Sequence, residues 1–269
     1  MTNTTGDGPK APGRAAPRPP AKRFYKAVTV AAESPSPRRV EDAPSAPWGG
    51  ESAETFRVLL DGKALRTPAK APLAVPTRAL AEAVAAEWEV QGEHIDPATM
   101  PLTRLANSAV DGVRGREAEV RADIVKYAAS DLVCYRASEP EGLARRQAEL
   151  WDPVLAWSRD ALGAGFEVAE GLMPLPQPEA ARSAVADAVT DCGAFTLAAL
   201  HVMTTLMGSA LLALAHAHGH LTAEAAWAAA HVDEDWQFAR WGEDADAAAR
   251  RRHRWTEMQA ASRLLTLMA

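Results

Sequence analysis

The stretch from Phe195 to Ala215, FTLAALHVMTTLMGSALLALA, carries no charged side chain. A run of this length and polarity has two stable homes, a lipid bilayer or the middle of a helical bundle. His201, three threonines, Gly208 and Ser209 dilute its apolar character. No Lys or Arg anchors flank it; Asp187 and Asp191 precede it and a histidine cluster follows. The expectation is one buried helix, Asp191–His216, at the centre of a soluble bundle. A membrane-associated helical protein built on Phe195–Ala215 is the alternative.

With 269 residues and 48% hydrophobic composition, the chain can surround such a helix. A net charge of −6 and a pI of 5.7 argue against a general nucleic-acid binder. Cys134 and Cys192 form no CxxC pair, so neither a disulfide framework nor a zinc ribbon is indicated, and a reducing compartment is expected. The N-terminus lacks the apolar core of a signal peptide.

Read in order, residues 1–21 are rich in Pro, Ala and Gly and form an expected disordered tail. Residues 22–112 read as a β-rich domain with a helix. Arg23–Ala32 is an expected strand, Ser34–Gly50 a Pro-rich loop, and Thr55–Leu65 a hairpin turning at Asp61-Gly62 through a type I′ turn. Leu73–Val75 adds a short strand. Thr77–Gln91 is a helix whose stripe Leu80, Val84 and Trp88 faces a core, with Gly92 just beyond it. Pro101–Val110 starts a short helix on a proline.

Residues 113–269 read as an all-helical domain. Its expected helices are Arg114–Ser130, Glu141–Leu150, Asp152–Leu162, Pro178–Val189, Asp191–His216, Thr222–Asp244 and Ala247–Leu267. Pro153 should separate or kink the second and third. Leu132–Arg136 is ambiguous, Phe166–Val168 suggests a small strand, and Leu172–Pro178 is extended through its prolines. The fold class is therefore α+β, a β-rich N-terminal half followed by a helical C-terminal half.

Thr222–Asp244 is the most informative of these helices. Ala225, Ala228, Ala229, Val232, Trp236 and Ala239 fall on one stripe when it is continued as a single helix. Trp227, Phe238 and Trp241 fall on the other side, with Glu234 among them. A surface helix is ordinarily polar there. The segment is either a central helix with a paired glutamate or an acidic group framed by aromatics and offered to a partner.

Chemistry-bearing patterns are sparse. There is no GxxxxGK[ST], no GxGxxG after a strand and no GxSxG. His216, His218 and His220 end a helix with no carboxylate or Cys nearby in sequence, and no metal site is assigned. Asp233 and Gln237 are placed to hydrogen-bond at i, i+4, with Arg240 beyond. Arg250, Arg251, Arg252 and Arg254 read as a solvated basic helix face.

Six motifs together resemble a known family. They are DGKALRTP (Asp61–Pro68), Glu87-Trp88 with Gln91, MPLTRLAN (Met100–Asn107), LVCYR (Leu132–Arg136), LWDP (Leu150–Pro153) and DEDWQFARWG (Asp233–Gly242). In this order and spacing, from Arg23 to the C-terminus, they resemble the assembly chaperones of F-type ATP synthase that guard the α subunit. The resemblance implies a β-rich domain joined to a helical one. It implies a non-enzymatic, ATP-independent chaperone without cofactor, which holds free α until β replaces it in F(1). The family's important acid maps onto Glu234. The frame here is DEDWQ, so the role falls on Glu234 or on its neighbours Asp233 and Asp235. The family tryptophan of the first helix maps onto Trp88, expected to be structural, as is Trp151 of LWDP. After WG the family has an aromatic and a histidine, and this chain has neither.

The partner-binding face expected from these readings is Glu234, Asp235, Gln237, Phe238, Trp241 and Trp227. The expected protein is a monomer without a membrane span or nucleic-acid partner, located in a bacterial cytoplasm, or in the mitochondrial matrix if eukaryotic. The alternative is a small-ligand hydrolase using Glu234 as acid/base in an interdomain pocket, for which a deep pocket holding Glu234 with His201 or His231 would speak.

Overall fold

The computed structural model describes residues 21–33, 54–171, 173–242 and 244–269. Of the tail expected over residues 1–21, residues 1–20 lie outside the described residues, as do the Pro-rich loop Ser34–Gly50 and Leu172, while the Ala21 carbonyl accepts from the Ile95 amide.

The N-terminal part is a small antiparallel sheet under one helix. Strand β1 (Val28–Glu33) pairs with β2 (Thr55–Leu60), and β2 pairs on its far side with both β3 (Lys63–Ala64) and β4 (Ala74–Val75). β2 alternates half-buried and buried residues, the pattern of a strand with one face on a core. The β2–β3 turn is the one expected: Asp61 and Gly62 have φ of 47° and 78°, the two positive values of a type I′ turn. Asp61 also accepts hydrogen bonds from the Lys26 and Ala27 amides, which hold its carboxyl below the usual carboxylate range. Helix α1 (Arg78–Glu89) lies on the sheet, and its N-cap Thr77 accepts from the Leu80 amide. The Thr77 hydroxyl also donates to the Leu267 carbonyl, 2.7 Å away, which ties this helix start to the last helix of the chain.

Helix α2 (Pro101–Ser108) begins on its proline, and the Glu87 carboxylate of α1 accepts from its Leu102 and Thr103 amides. Helix α3 (Glu117–Ala128) follows. The ambiguous LVCYR segment resolves into a tight turn at Leu132–Cys134 and then β5 (Tyr135–Arg136). β5 pairs in parallel with β6 (Ala169–Glu170), so the helical half also contains this two-residue pair. Helix α4 (Glu141–Leu162) runs unbroken through Pro153, where two helices were expected to be separated or kinked. A proline there removes one backbone bond, and burial of Trp151 and Val154 on either side holds the helix together.

Helices α5 (Glu179–Ala188), α6 (Ala194–Met207) and α7 (Ala210–Ala217) follow. The uncharged stretch is therefore two helices, where one was expected. Gly208 takes φ 66°, Ser209 caps α7 by accepting from the Leu212 amide, and the Leu132 amide donates to the Gly208 carbonyl. Helix α6 packs against α10, α7 and α3, and most of its residues are buried. No helix of the described residues is long and apolar enough to cross a membrane. One hydrophobic cluster runs from Tyr25 beneath the sheet to Met268 at the chain's end.

The expected helix Thr222–Asp244 is also two. Helix α8 (Ala223–Ala230) is capped by Thr222, as read from the sequence. It stops at His231, with φ −115° and ψ 18°, and α9 (Val232–Trp241) restarts at once. Gly242 ends α9 at φ 84°, and α10 (Ala245–Met268) closes the chain from an Asp244 N-cap.

Candidate functional site

The one-residue break at His231 changes which side chains α8 and α9 share. The His231 imidazole is buried, and its Nδ1–H is donated to the Trp227 carbonyl at 2.8 Å. Burial lowers the His231 pKa below the usual histidine value, opposed by that hydrogen bond and by the nearby Glu234 charge. Trp227 is 8% exposed, its ring 3.9 Å from that of His231 and 5.3 Å from that of Trp255. Trp227 therefore belongs to the chain's own core. The frame expected from a continuous helical wheel loses this member, because the break rotates α9 out of phase with α8.

Helix α9 is pinned from behind on two sides. Toward α4, Asp233 accepts from Gln147 Nε2 at 2.7 Å, and Gln147 Oε1 accepts from the Ala137 amide. Asp233 is thus paired with Gln147 and not, as expected, with Gln237. One turn on, the Trp236 ring lies against Gly142, with Arg240 4.7 Å over it. Toward α10, Asp235 accepts from Arg251, whose guanidinium also sits 5.8 Å from the Phe238 ring. The basic segment of α10 is therefore only partly a solvated face. Arg251 braces α9, and Arg254 donates to the Leu206 carbonyl.

What remains outward is a stripe. Glu234, Gln237, Phe238 and Trp241 stand at i, i+3, i+4 and i+7 on α9. Glu234 and Gln237 are exposed, Phe238 is half-buried, and Trp241 is 77% exposed. An indole left this open offers apolar area and an N–H donor to solvent. Five of the six expected residues thus lie on α9, four along its outward stripe and Asp235 beside it, held by Arg251. Neither Gly142 nor Gln147 is singled out by the sequence, and Arg251 is read there only as part of a solvated basic face. Only Gly142 has a local signal, a glycine inside a helical pattern, where it costs about 1 kcal/mol against Ala unless a contact requires it.

The other sequence candidates stand elsewhere. His201 Nε2 pairs with Asp123 Oδ2 at 2.7 Å, on α6 and α3. His218 and His220 pack on the Trp157 ring, whereas His216 donates to the Leu221 carbonyl and meets Ser262. The four clefts described among these residues are lined by neither Glu234, His201 nor His231. Trp151 is fully buried and donates from Nε1 to the Ala229 carbonyl at 2.8 Å, joining α4 to α8. Trp88 is half-buried where the stripe reading had it inside; its ring is 5.7 Å from that of Tyr25.

Comparison with known proteins gives consistent matches. The model of the ATP12 chaperone protein family matches residues 22–159. The crystal structure of Atp12 from Paracoccus denitrificans superposes with a TM-score of 0.80 at 37% identity, over 93% of this chain and 99% of that one. A protein from Agrobacterium tumefaciens described as a candidate chaperone is 47% identical, with a TM-score of 0.80 over 92% of this chain and 86% of that one. The mitochondrial atp12 protein of Schizosaccharomyces pombe is 22% identical over 202 residues, 71% of this chain and 69% of its own.

Proposed function

The chain belongs to the ATP12 chaperone family, and from that premise we propose that it is an ATP-independent assembly chaperone for the α subunit of F-type ATP synthase. It holds free α as a monomer, without cofactor or catalysis, and gives it up to β as F(1) forms. Its place is the compartment where F(1) is assembled, a bacterial cytoplasm or a mitochondrial matrix.

The observation that supports this reading most is the outward stripe of α9, with Trp241 77% exposed beside Glu234, Gln237 and Phe238. An unassembled subunit exposes apolar surface that its neighbour will later cover, and such surface aggregates. A holding face needs aromatic area for grip, a polar edge for direction, and few enough anchors to be displaced. Exposed Glu234 supplies a charge for a basic group or a backbone N–H on α, while Asp233 and Asp235 are committed to Gln147 and Arg251. Among three adjacent acids, this arrangement favours Glu234 as the one offered to α.

The test is co-purification with the α and β subunits of the same organism, supplied separately. Capture of α alone, with suppression of its light scattering on dilution from denaturant, is the expected result. Capture of neither subunit would rule the reading out.

A further inference from the structure

A second apolar feature stands open at the other end of the chain. Phe24 is 71% exposed, and its ring meets Tyr25 edge-on at 5.4 Å. With Trp88 and the β2–β3 hairpin these residues wall a cleft of about 350 Å³. The walls are fastened: the Tyr25 hydroxyl donates to the Trp88 carbonyl at 2.6 Å, and Arg23 donates to the Glu89 and Gln91 carbonyls at the end of α1. Such a cleft is preformed, so an occupant meets little reorganisation cost. Among the described residues no acceptor reaches Nε1 of Trp88, an unmet buried donor in its wall.

The charge of this cleft is opposite to that of the chain. Its lining carries Lys63 and Arg66 against Asp61 alone. The Asp61 carboxylate is already engaged by the Lys26 and Ala27 amides, with the Lys26 and Lys63 side-chain charges beside it. The whole chain is at −6. The sequence of residues 1–20 is itself basic, with Lys10, Arg14 and Arg18 against Asp7, so charge disfavours it as the occupant. The cleft favours an acidic occupant with an apolar side chain to place between Phe24 and Trp88.

We propose that this cleft is a second docking site, which takes an extended acidic segment of the client polypeptide. An apolar side chain of the segment packs between Phe24 and Trp88, and a neighbouring carboxylate pairs with Lys63. The proposal rests on the chaperone reading, since it gives the client a second point of attachment. Helix α9 offers a carboxylate and the cleft offers ammonium groups. Two surfaces of opposite sign fix the direction in which a client lies.

The full-length chain is titrated into two fluorescein-labelled seven-residue peptides, one with a central phenylalanine flanked by glutamates and the other with lysines in their place. The acidic peptide is expected to bind about tenfold tighter than the basic one. Lys63→Glu and Phe24→Ser, both at exposed positions, each weaken it about tenfold, while Glu234→Lys leaves it unchanged. Equal binding of the two peptides, or binding indifferent to Lys63→Glu and Phe24→Ser, would overturn the site. So would peptide binding that competes with a dimer of the chain seen by light scattering, which would give the cleft to a second copy. Capture of free α is measured alongside. A wild type that binds the acidic peptide but captures no α would remove α as the client and keep the cleft's specificity; reduced α capture by Lys63→Glu is the expected result.

Discussion

A Cβ placed on Gly142 would lie 2.7 Å from Cη2 of Trp236. Real Cβ atoms do not come so close to a ring, so the glycine at the start of α4 is what lets the edge of the α9 indole approach it. Arg240 lies 4.7 Å over a face of the same ring. This contact and the Asp233–Gln147 hydrogen bond are one turn apart, and together they set how α9 is presented.

Gly142→Ala therefore reverses the usual sign. In an open helix the exchange stabilises by up to about 1 kcal/mol. Here overpacking costs about 1–3 kcal/mol and pushes α9 off α4. A lower melting temperature and weaker capture of α are expected. Trp236→Phe in the same chain removes the clashing ring edge and restores both. A single Gly142→Ala variant more stable than wild type would contradict the contact.

The two tryptophans expected to be structural are predicted to behave differently. Trp151 is wholly enclosed and donates to the Ala229 carbonyl. Trp151→Phe loses volume and that bond, and costs about 3 kcal/mol in urea unfolding. Trp88 is half-buried and its Nε1 finds no acceptor among the described residues, so Trp88→Phe removes an unmet donor with the ring edge. Its cost should be below about 1 kcal/mol.

Asp131 gives the chain a pH-dependent component of stability. The carboxyl is fully buried and accepts from the Val133 and Leu211 amides, joining the turn after α3 to the start of α7. Burial pushes its pKa from 3.8 up to about 6, against the lowering effect of those hydrogen bonds. The folded-state value lies above the unfolded one, so this group's contribution is fully present below about pH 4 and is lost as pH rises through 6. The loss is on the order of 3 kcal/mol. Asp131→Asn does not titrate. The stability of wild type relative to Asp131→Asn should therefore fall between pH 4 and pH 7 in urea titrations. A constant difference over that range would show that the carboxyl ionises normally.

Much of this was legible locally. The hairpin could be read at Asp61-Gly62, because that pair is suited to two positive φ values in succession. The helix starts at Thr77 and Thr222 could be read because a hydroxyl caps within its own turn. The burial of Phe195–Ala215 could be read from its lack of charge, but its break at Gly208 could not. That break is held by Asp131 and Leu132, far away in sequence. The site shows the same division. The stripe of Glu234, Gln237, Phe238 and Trp241 follows from helical spacing alone. Trp227 was misplaced because a single residue, His231, leaves the helix and resets the phase of everything after it. The brace Gln147 carries no local signal and Arg251 reads as solvated, since nothing local marks a long-range partner.

The most direct test of the account is the affinity of purified free α for the immobilised chain, compared across wild type, Glu234→Lys and Trp241→Ser. Both changes lie at exposed positions of α9 and should leave the thermal unfolding midpoint where it is. The account predicts that each weakens α binding by about tenfold or more and that added β displaces α from the wild type. Three chains that bind α equally well would contradict it, because the outward stripe of α9 would then not be the surface that holds the client.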